Sequence, residues 1–193
     1  MGKKLKHIKK RKSRLLFVFV LTCIFSLIIA GCATTNVSKI SPTTSSTVKH
    51  PSSDATVYGS MDDSNFQPGD VLTFTVWIKS TIMLRGGQCA ISFDPSLIKC
   101  DNVSEGSFFH DWAILNNCST VVIPHPTIDN VQGRVSDIGI AIMGTTQGGP
   151  NGNGTLCTFQ FTALAVGNTQ PKLSNVKLAD LSGNVFQPIV TNN

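Results

Sequence analysis

The sequence lacks the short motifs that mark common catalytic and metal sites. It contains no Gly-x-Ser-x-Gly turn, no Cys-x-x-Cys pair and no His-x-x-x-His spacing. Nucleophilic hydrolases and zinc sites depend on such spacings because reacting atoms or ligands must converge on one point. The turn at residues 61–65 and Asp129 give only a weak calcium signal. The sequence therefore predicts a chain that is not an enzyme, with no catalytic residue and no resident metal.

Flat aromatic side chains are also scarce. The chain has two Trp and one Tyr, which is little material for the aromatic platforms on which sugar-binding modules stack their ligands. Trp77 points outward if its strand alternates, and Trp112 lies in a predicted loop. Direct polysaccharide binding through Trp77 and Trp112 therefore stays as an alternative function.

An excess of positive charge is missing from most of the chain, and the formal net charge of +5 comes from its N-terminal residues. Eight of the sixteen Lys and Arg lie in residues 1–14. After Cys32 there are eight basic and eleven acidic residues, and 8 − 11 = −3. Nucleic-acid binding needs clustered Lys and Arg to neutralise phosphates, so a nucleic-acid partner is excluded.

The N-terminus has the pattern of an export signal. The basic run is followed by uncharged residues 15–29 and then by Ile-Ala-Gly-Cys, which ends at Cys32. This segment resembles the lipobox of prokaryotic lipoproteins, which implies a signal peptide over 1–31 and lipidation of Cys32. The alternative is an uncleaved N-terminal anchor. Both interpretations place the remaining chain outside the cytoplasmic membrane. The lipobox interpretation predicts a membrane-anchored lipoprotein at the cell surface.

Two further regions follow the signal. Residues 32–53 are rich in Ser and Thr and poor in large apolar residues, so they predict a flexible tether. Residues 54–193 change to short alternating runs, as in Val71–Ser80, where every second residue is apolar. Turn residues separate these runs, and no stretch repeats at the helical period of 3.6. The pattern predicts an all-β sandwich.

The predicted domain contains four cysteines, Cys89, Cys100, Cys118 and Cys157. Disulfides are permitted outside the cytoplasm, and four cysteines allow three pairings. Cys89 and Cys157 both point inward on different strands, whereas Cys100 and Cys118 bracket one segment. We hypothesise the pairs Cys89–Cys157 and Cys100–Cys118; plain buried thiols are the alternative in a reducing habitat.

The order of motifs in the domain resembles that of cohesins. A Pro-Gly-Asp turn at 68–70 precedes a strand, a second strand ends in Phe-Asp-Pro at 93–95, and Gly-Asn-Gly-Thr-Leu at 152–156 opens a Phe-rich strand. A later strand, "LSNVKLAD", ends near a Gly-Asn turn. The resemblance implies a nine-stranded jelly-roll sandwich that binds dockerins, which carry paired calcium loops. Calcium would then belong to the partner, and this chain would have no cofactor.

The resemblance also implies a contact surface on the outer face of one sheet. An exposed Met among small residues suits helix docking, because the backbones approach closely and Met adapts its shape. Many cohesins have an acidic residue where this chain has Ala90, and the small residues could instead lie under a loop. The implied partner-binding residues are Gln88, Ala90, Ser92, Val121, Ile123, Gly139, Ala141, Met143, Asn175 and Lys177.

These observations favour a non-catalytic binding module at the cell surface, in a polysaccharide-degrading or envelope assembly. The expected partner is a dockerin-bearing protein. Polysaccharide binding is the first alternative, and a structural or adhesive envelope lipoprotein is the second.

Overall fold

The computed structural model describes residues 52–144 and 147–192. The predicted signal peptide (1–31), the lipidation residue Cys32 and most of the tether lie outside this part. The first strand begins at Ser52, two residues before the predicted start of the domain.

Thirteen strands and one helix make up the described chain. They are β1 (Ser52–Met61), β2 (Asn65–Phe66), β3 (Val71–Ser80), β4 (Leu84–Ser92), β5 (Ile98–Glu105), α1 (Ser107–Leu115), β6 (Ser119–Val122), β7 (Ile128–Asp129), β8 (Arg134–Met143), β9 (Gly152–Ala163), β10 (Gly167–Asn168), β11 (Lys172–Asp180), β12 (Val185–Phe186) and β13 (Pro188–Thr191).

Two sheets form the sandwich. The five-stranded sheet has the order β13-β1-β3-β9-β5, and the six-stranded sheet has the order β12-β11-β4-β8-β6 with β7 paired to β8. Nine strands have four or more residues, five of them in the first sheet and four in the second. The predicted nine-stranded jelly-roll is therefore confirmed.

The core follows from the alternation in the sequence. In β3, Leu72, Phe74, Val76 and Ile78 are buried and the residues between them are not. Strands β4 and β9 contribute further buried apolar residues from the two sheets to one continuous core. Successive strand residues point to opposite faces, so period-two hydrophobicity fixed which face of each sheet is hidden.

One short helix accompanies the strands, in a segment around Trp112 for which the sequence predicted a loop. Helix α1 links β5, at the edge of one sheet, to β6, at the edge of the other. It buries Phe108, Phe109 and Ala113. Phe109 and Ala113 have the i, i+4 spacing of one helix face, but nine residues are too few to establish a helical period in the sequence. None of the described helices is long and apolar enough to cross a membrane.

The start of α1 depends on a distant strand. The N-cap Gly106 has no side chain with which to cap the helix. Instead, the Ser107 N–H donates to Thr155 Oγ1 of β9 at 2.8 Å. A Cβ at Gly106 would lie 2.3 Å from the Thr155 carbonyl oxygen, so this close approach requires glycine. This cap could not be predicted from the neighbouring sequence, because Thr155 is 48 residues from Ser107.

Candidate functional site

The outer face, meaning the surface of the six-stranded sheet that points away from the core, carries most of the predicted contact residues. Strand register places Lys177, Gln88 and Gly139 side by side on β11, β4 and β8. The next outward row contains Ala179, Gly86, Ala141 and Val121. The sequence-predicted residues of β4, β6, β8 and β11 are thus brought together on one surface.

A shallow groove of about 160 Å³ crosses this face. Exposed apolar side chains stand at its two sides, Ile123 with 68% of its surface accessible and Val185 with 59%. Met143, with 52% accessible, lies on the same face at the end of β8. The groove is lined by Gly87, Gln88, Ile123, Gly139, Ile140, Lys177, Leu178, Ala179 and Val185.

Gly139 does not offer its surface in the way that was predicted. It is buried, and the chain after β6 crosses it: the Ile123 N–H donates to the Gly139 carbonyl at 2.8 Å. A Cβ on Gly139 would lie 2.2 Å from the Ile123 carbonyl oxygen. Gly139 therefore lets the chain approach closely and so positions Ile123 at the side of the groove.

Ala90 is also covered, which corrects its prediction as an open contact residue. It points away from the core but is only 7% accessible. Asn175 Nδ2 on β11 donates to Asp137 Oδ2 on β8 at 2.6 Å, and β4 lies between these strands. This hydrogen bond, here termed the clasp, therefore passes over β4 at Ala90.

Bulges create the clasp. The register of β11 against β4 shifts between Ser174 and Lys177, and that of β8 against β4 shifts opposite Ala90. Asn175 has φ +49°, in the left-handed region that Asn tolerates better than most residues. Asp137 was not among the predicted contact residues, and its only signal in the sequence was a break in the alternation of β8.

The predicted carbohydrate residues lie elsewhere. Trp77 is half-buried on the outer surface of the five-stranded sheet, opposite Tyr58, and its Nε1–H donates to Ser60 Oγ at 3.0 Å. Trp112 lies in α1 and not in the predicted loop. A Cβ on Gly148 would be 3.1 Å from the Trp112 ring, so the loop after β8 packs against that indole.

The four cysteines are free thiols in the structure, so neither predicted disulfide is formed in it. Cys89 and Cys157 nevertheless lie side by side between the two sheets, with their sulfurs 3.5 Å apart. Burial, and then the neighbouring Cys89, raises the pKa of the Cys157 thiol well above its ordinary value. The Cys89–Cys157 bond stays a prediction for the oxidised chain.

The predicted second pair shows a different environment for each thiol. The Cys100 sulfur points to the Asn102 carbonyl at 3.6 Å, and the Cys118 sulfur points to the Asn116 carbonyl at 3.2 Å. Burial raises the pKa of Cys100 to about 11. Such a thiol is a poor nucleophile near neutral pH, because the thiolate is the reactive form.

Glu105, His110 and Thr120 form the one described cluster that resembles catalytic chemistry. The Thr120 hydroxyl donates to Glu105 Oε2 at 2.9 Å, and His110 Nδ1 is 3.7 Å from the same oxygen. The hydroxyl thus donates to the carboxylate and not to the imidazole, so the cluster lacks the hydroxyl-to-histidine hydrogen bond of a Ser-His-Asp type triad. Residues 52–144 and 147–192 contain no group of three His, Cys, Asp or Glu that could hold a metal.

The comparison with solved structures identifies the fold. No protein-family model and no curated protein matches the chain. A second type II cohesin module from the adaptor scaffoldin of Acetivibrio cellulolyticus matches with a TM-score of 0.58 at 15% identity, over 72% of this chain and 86% of that one. A type II cohesin–X-dockerin complex from the same organism gives 0.56 at 14% identity, over 72% and 95%.

A non-cellulosomal cohesin from the archaeon Archaeoglobus fulgidus matches with a TM-score of 0.52 at 16% identity, over 71% of this chain and 86% of that one. These similarities show that the described domain has the cohesin fold.

Proposed function

We propose that the chain is a non-catalytic docking module whose outer face binds a dockerin-bearing protein. The observation that carries this proposal is the groove: its floor includes the small residues Gly139 and Ala179 beside Gln88 and Lys177. Its sides are the exposed Ile123 and Val185. A helix can approach such a floor closely, and burial of its apolar side chains favours association. Two solved structures with this fold are complexes with dockerins, which supports that class of partner.

The proposed location of the module is the cell surface. Lipidation at Cys32 would hold the chain on the membrane, and residues 32–53 would carry the domain away from it. This arrangement would present the outer face to secreted partners. The support is the signal and lipobox pattern of residues 1–32.

Ala141 provides the direct test. It lies half-exposed on the outer face beside Gly86 and Val121, so Ala141→Arg places a long charged side chain on the surface. We expect this change in the full chain to weaken binding of a calcium-loaded dockerin at least tenfold by isothermal titration calorimetry, since it blocks close packing.

The matched control is Thr75→Arg, a half-exposed residue on the outer surface of the five-stranded sheet. It should bind as the unchanged chain does, and a calcium chelator should release the partner in both cases. If Thr75→Arg weakens binding and Ala141→Arg does not, the contact surface lies on the other sheet. If no module of a broad dockerin panel binds, the proposed function is wrong.

Polysaccharide binding is the second candidate, and Trp77 and Tyr58 favour it because they are cross-strand neighbours on the five-stranded sheet. Retention of the full chain on insoluble cellulose, lost on Trp77→Ala, would support it. A chain that binds neither dockerins nor glycans would fit the structural or adhesive envelope role.

A further inference from the structure

The charges of the described chain are unevenly distributed between the sheets. Residues 52–192 contain six basic residues. Four of them lie on strands of the six-stranded sheet: Arg85, Arg134, Lys172 and Lys177. Register places Lys172 and Arg134 on either side of Ser92 in one outward row, which we term the basic row. All three members of this row are exposed.

Arg134, Lys172 and Lys177 form no ion pair and no side-chain hydrogen bond with another described residue. The carboxylates of the same sheet, in contrast, already accept hydrogen bonds from their own chain. Asp137 accepts from Asn175, Asp129 from the Val131 and Gln132 N–H groups, and Asp180 from Ser182 and Asn184. The face therefore offers cations without partners inside a domain that is acidic overall.

The basic row and the groove are within reach of one partner element. Adjacent strands are about 4.8 Å apart, so Lys172 and Arg134 are separated by roughly 10 Å. Ser92 lies four residues along β4 from Gln88 in the groove, which is roughly 13 Å at strand spacing. A helix of about nine residues spans that distance, and the clasp lies between its two ends.

We propose that the outer face selects a partner whose apolar helix side is flanked by carboxylates, which pair with Lys172 and Arg134 while apolar side chains fill the groove. This inference rests on the proposed docking function and adds the charge of the partner. Paired charges across an interface steer association and reject partners of the wrong sign.

A protein partner fits these residues better than a polyanion does. The cations are few, and carboxylates lie among them: Asp94 lines a cavity of about 290 Å³ together with Lys172, and Asp129 pairs in register with Arg134. Hydrogen bonds from Ser96 lower the pKa of Asp94, so it stays charged. The strands of this face also expose no aromatic side chain among the described residues on which a sugar could stack.

The test reverses the charge of the basic row in the full chain with the double variant Lys172→Glu/Arg134→Glu. Affinity for a calcium-loaded dockerin with an acidic contact helix, measured by calorimetry at low salt, should fall at least tenfold. Lys79→Glu, an exposed residue on β3 of the other sheet, is the control and should change affinity less than twofold. Raising the salt concentration should lower the affinity of the unchanged chain for the dockerin and leave the affinity of the double variant almost unaffected.

Several outcomes separate the alternatives. The neutral variant Lys172→Gln/Arg134→Gln should lose part of the affinity, and circular dichroism should show that all variants remain folded. Equal binding by the unchanged chain and the double variant, with Ala141→Arg still inactive, would overturn the charge inference and leave the docking function intact. The double variant could instead keep its affinity for the dockerin and lose retention on polygalacturonate or on phosphatidylglycerol vesicles. In that case the basic row binds a polyanion and the inference is wrong. Absence of binding to every dockerin would overturn both proposals.

Discussion

At the scale of single residues, Ala90 shows how a position can point outward and still be closed. Alternation placed it correctly on the outer side of β4, but alternation does not report what lies above a side chain. The clasp covers it because Asp137 and Asn175 come from strands on either side. Position 90 therefore needs a small side chain because of the clasp above it, and contact with a partner is not the reason for alanine there.

Ala90→Leu should destabilise the domain. The added side chain must displace the Asn175–Asp137 clasp or be forced into it, and such overpacking typically costs about 1–3 kcal/mol. Ser92→Leu is the control, since Ser92 is exposed on the same strand and the same face; exposed substitutions usually stay within about 0.5 kcal/mol. The free energy of unfolding in urea gives both values, and an equal loss in the two variants would show that the clasp does not close over Ala90.

The cysteines illustrate the same limit at the residue scale. Alternation predicted that Cys89 and Cys157 both point inward, and the structure places their sulfurs 3.5 Å apart. The sequence could not distinguish a disulfide from two thiols, because that difference depends on the oxidant and not on the fold.

At the scale of elements, the strands were predictable and the helix was not. Strand β3 has a period of two over ten residues, and β9 keeps this period from Cys157 to Ala163, which is a strong local signal. Helix α1 has nine residues, and its first turn is held by Thr155. Its formation is therefore decided by tertiary contacts, which a local reading of residues 107–115 does not contain.

Strand β5 is an edge of the five-stranded sheet and is protected by a side chain. Asn130 Oδ1 accepts the Cys100 N–H at 2.7 Å, and Asn130 Nδ2 donates to the Cys100 carbonyl at 2.9 Å. One amide side chain thus replaces one residue of a neighbouring strand and satisfies two backbone groups. Exposed edges otherwise invite pairing with other chains.

Asn130→Ala should therefore lower the free energy of unfolding by about 1–3 kcal/mol, because it leaves two partly buried backbone groups without partners. The exchange of the Cys100 amide hydrogen should also become faster. Asn102→Ala on the same strand removes only an exposed contact to Ser104 and should change stability by less than about 0.5 kcal/mol. Unchanged exchange at Cys100 in Asn130→Ala would contradict this role.

At the scale of the whole molecule, the order of motifs along the chain predicted the fold better than any single motif did. The solved cohesins that match this domain share only 14–16% of its residues, yet they share the sandwich. A jelly-roll tolerates such divergence because it needs alternating burial and turn residues more than specific side chains. The surface is not constrained in this way, which is why the clasp and the cover over Gly139 could not be predicted.

The two sheets of the molecule expose different kinds of side chain on their outer surfaces. The five-stranded sheet presents Trp77 and Tyr58, whereas the six-stranded sheet presents the groove and the cations without partners. The central claim is that the six-stranded sheet is the docking surface. A footprint of the full chain with a bound partner distinguishes the two sheets directly.

Lysine acetylation read by mass spectrometry, with and without a calcium-loaded dockerin, is the most direct measurement. Lys172 and Lys177 lie on β11 of the six-stranded sheet, and Lys79 lies on β3 of the other. A bound partner should slow acetylation of Lys172 and Lys177 and leave the acetylation rate of Lys79 unchanged. Protection of Lys79, with Lys172 and Lys177 modified as fast as in the free chain, would contradict it.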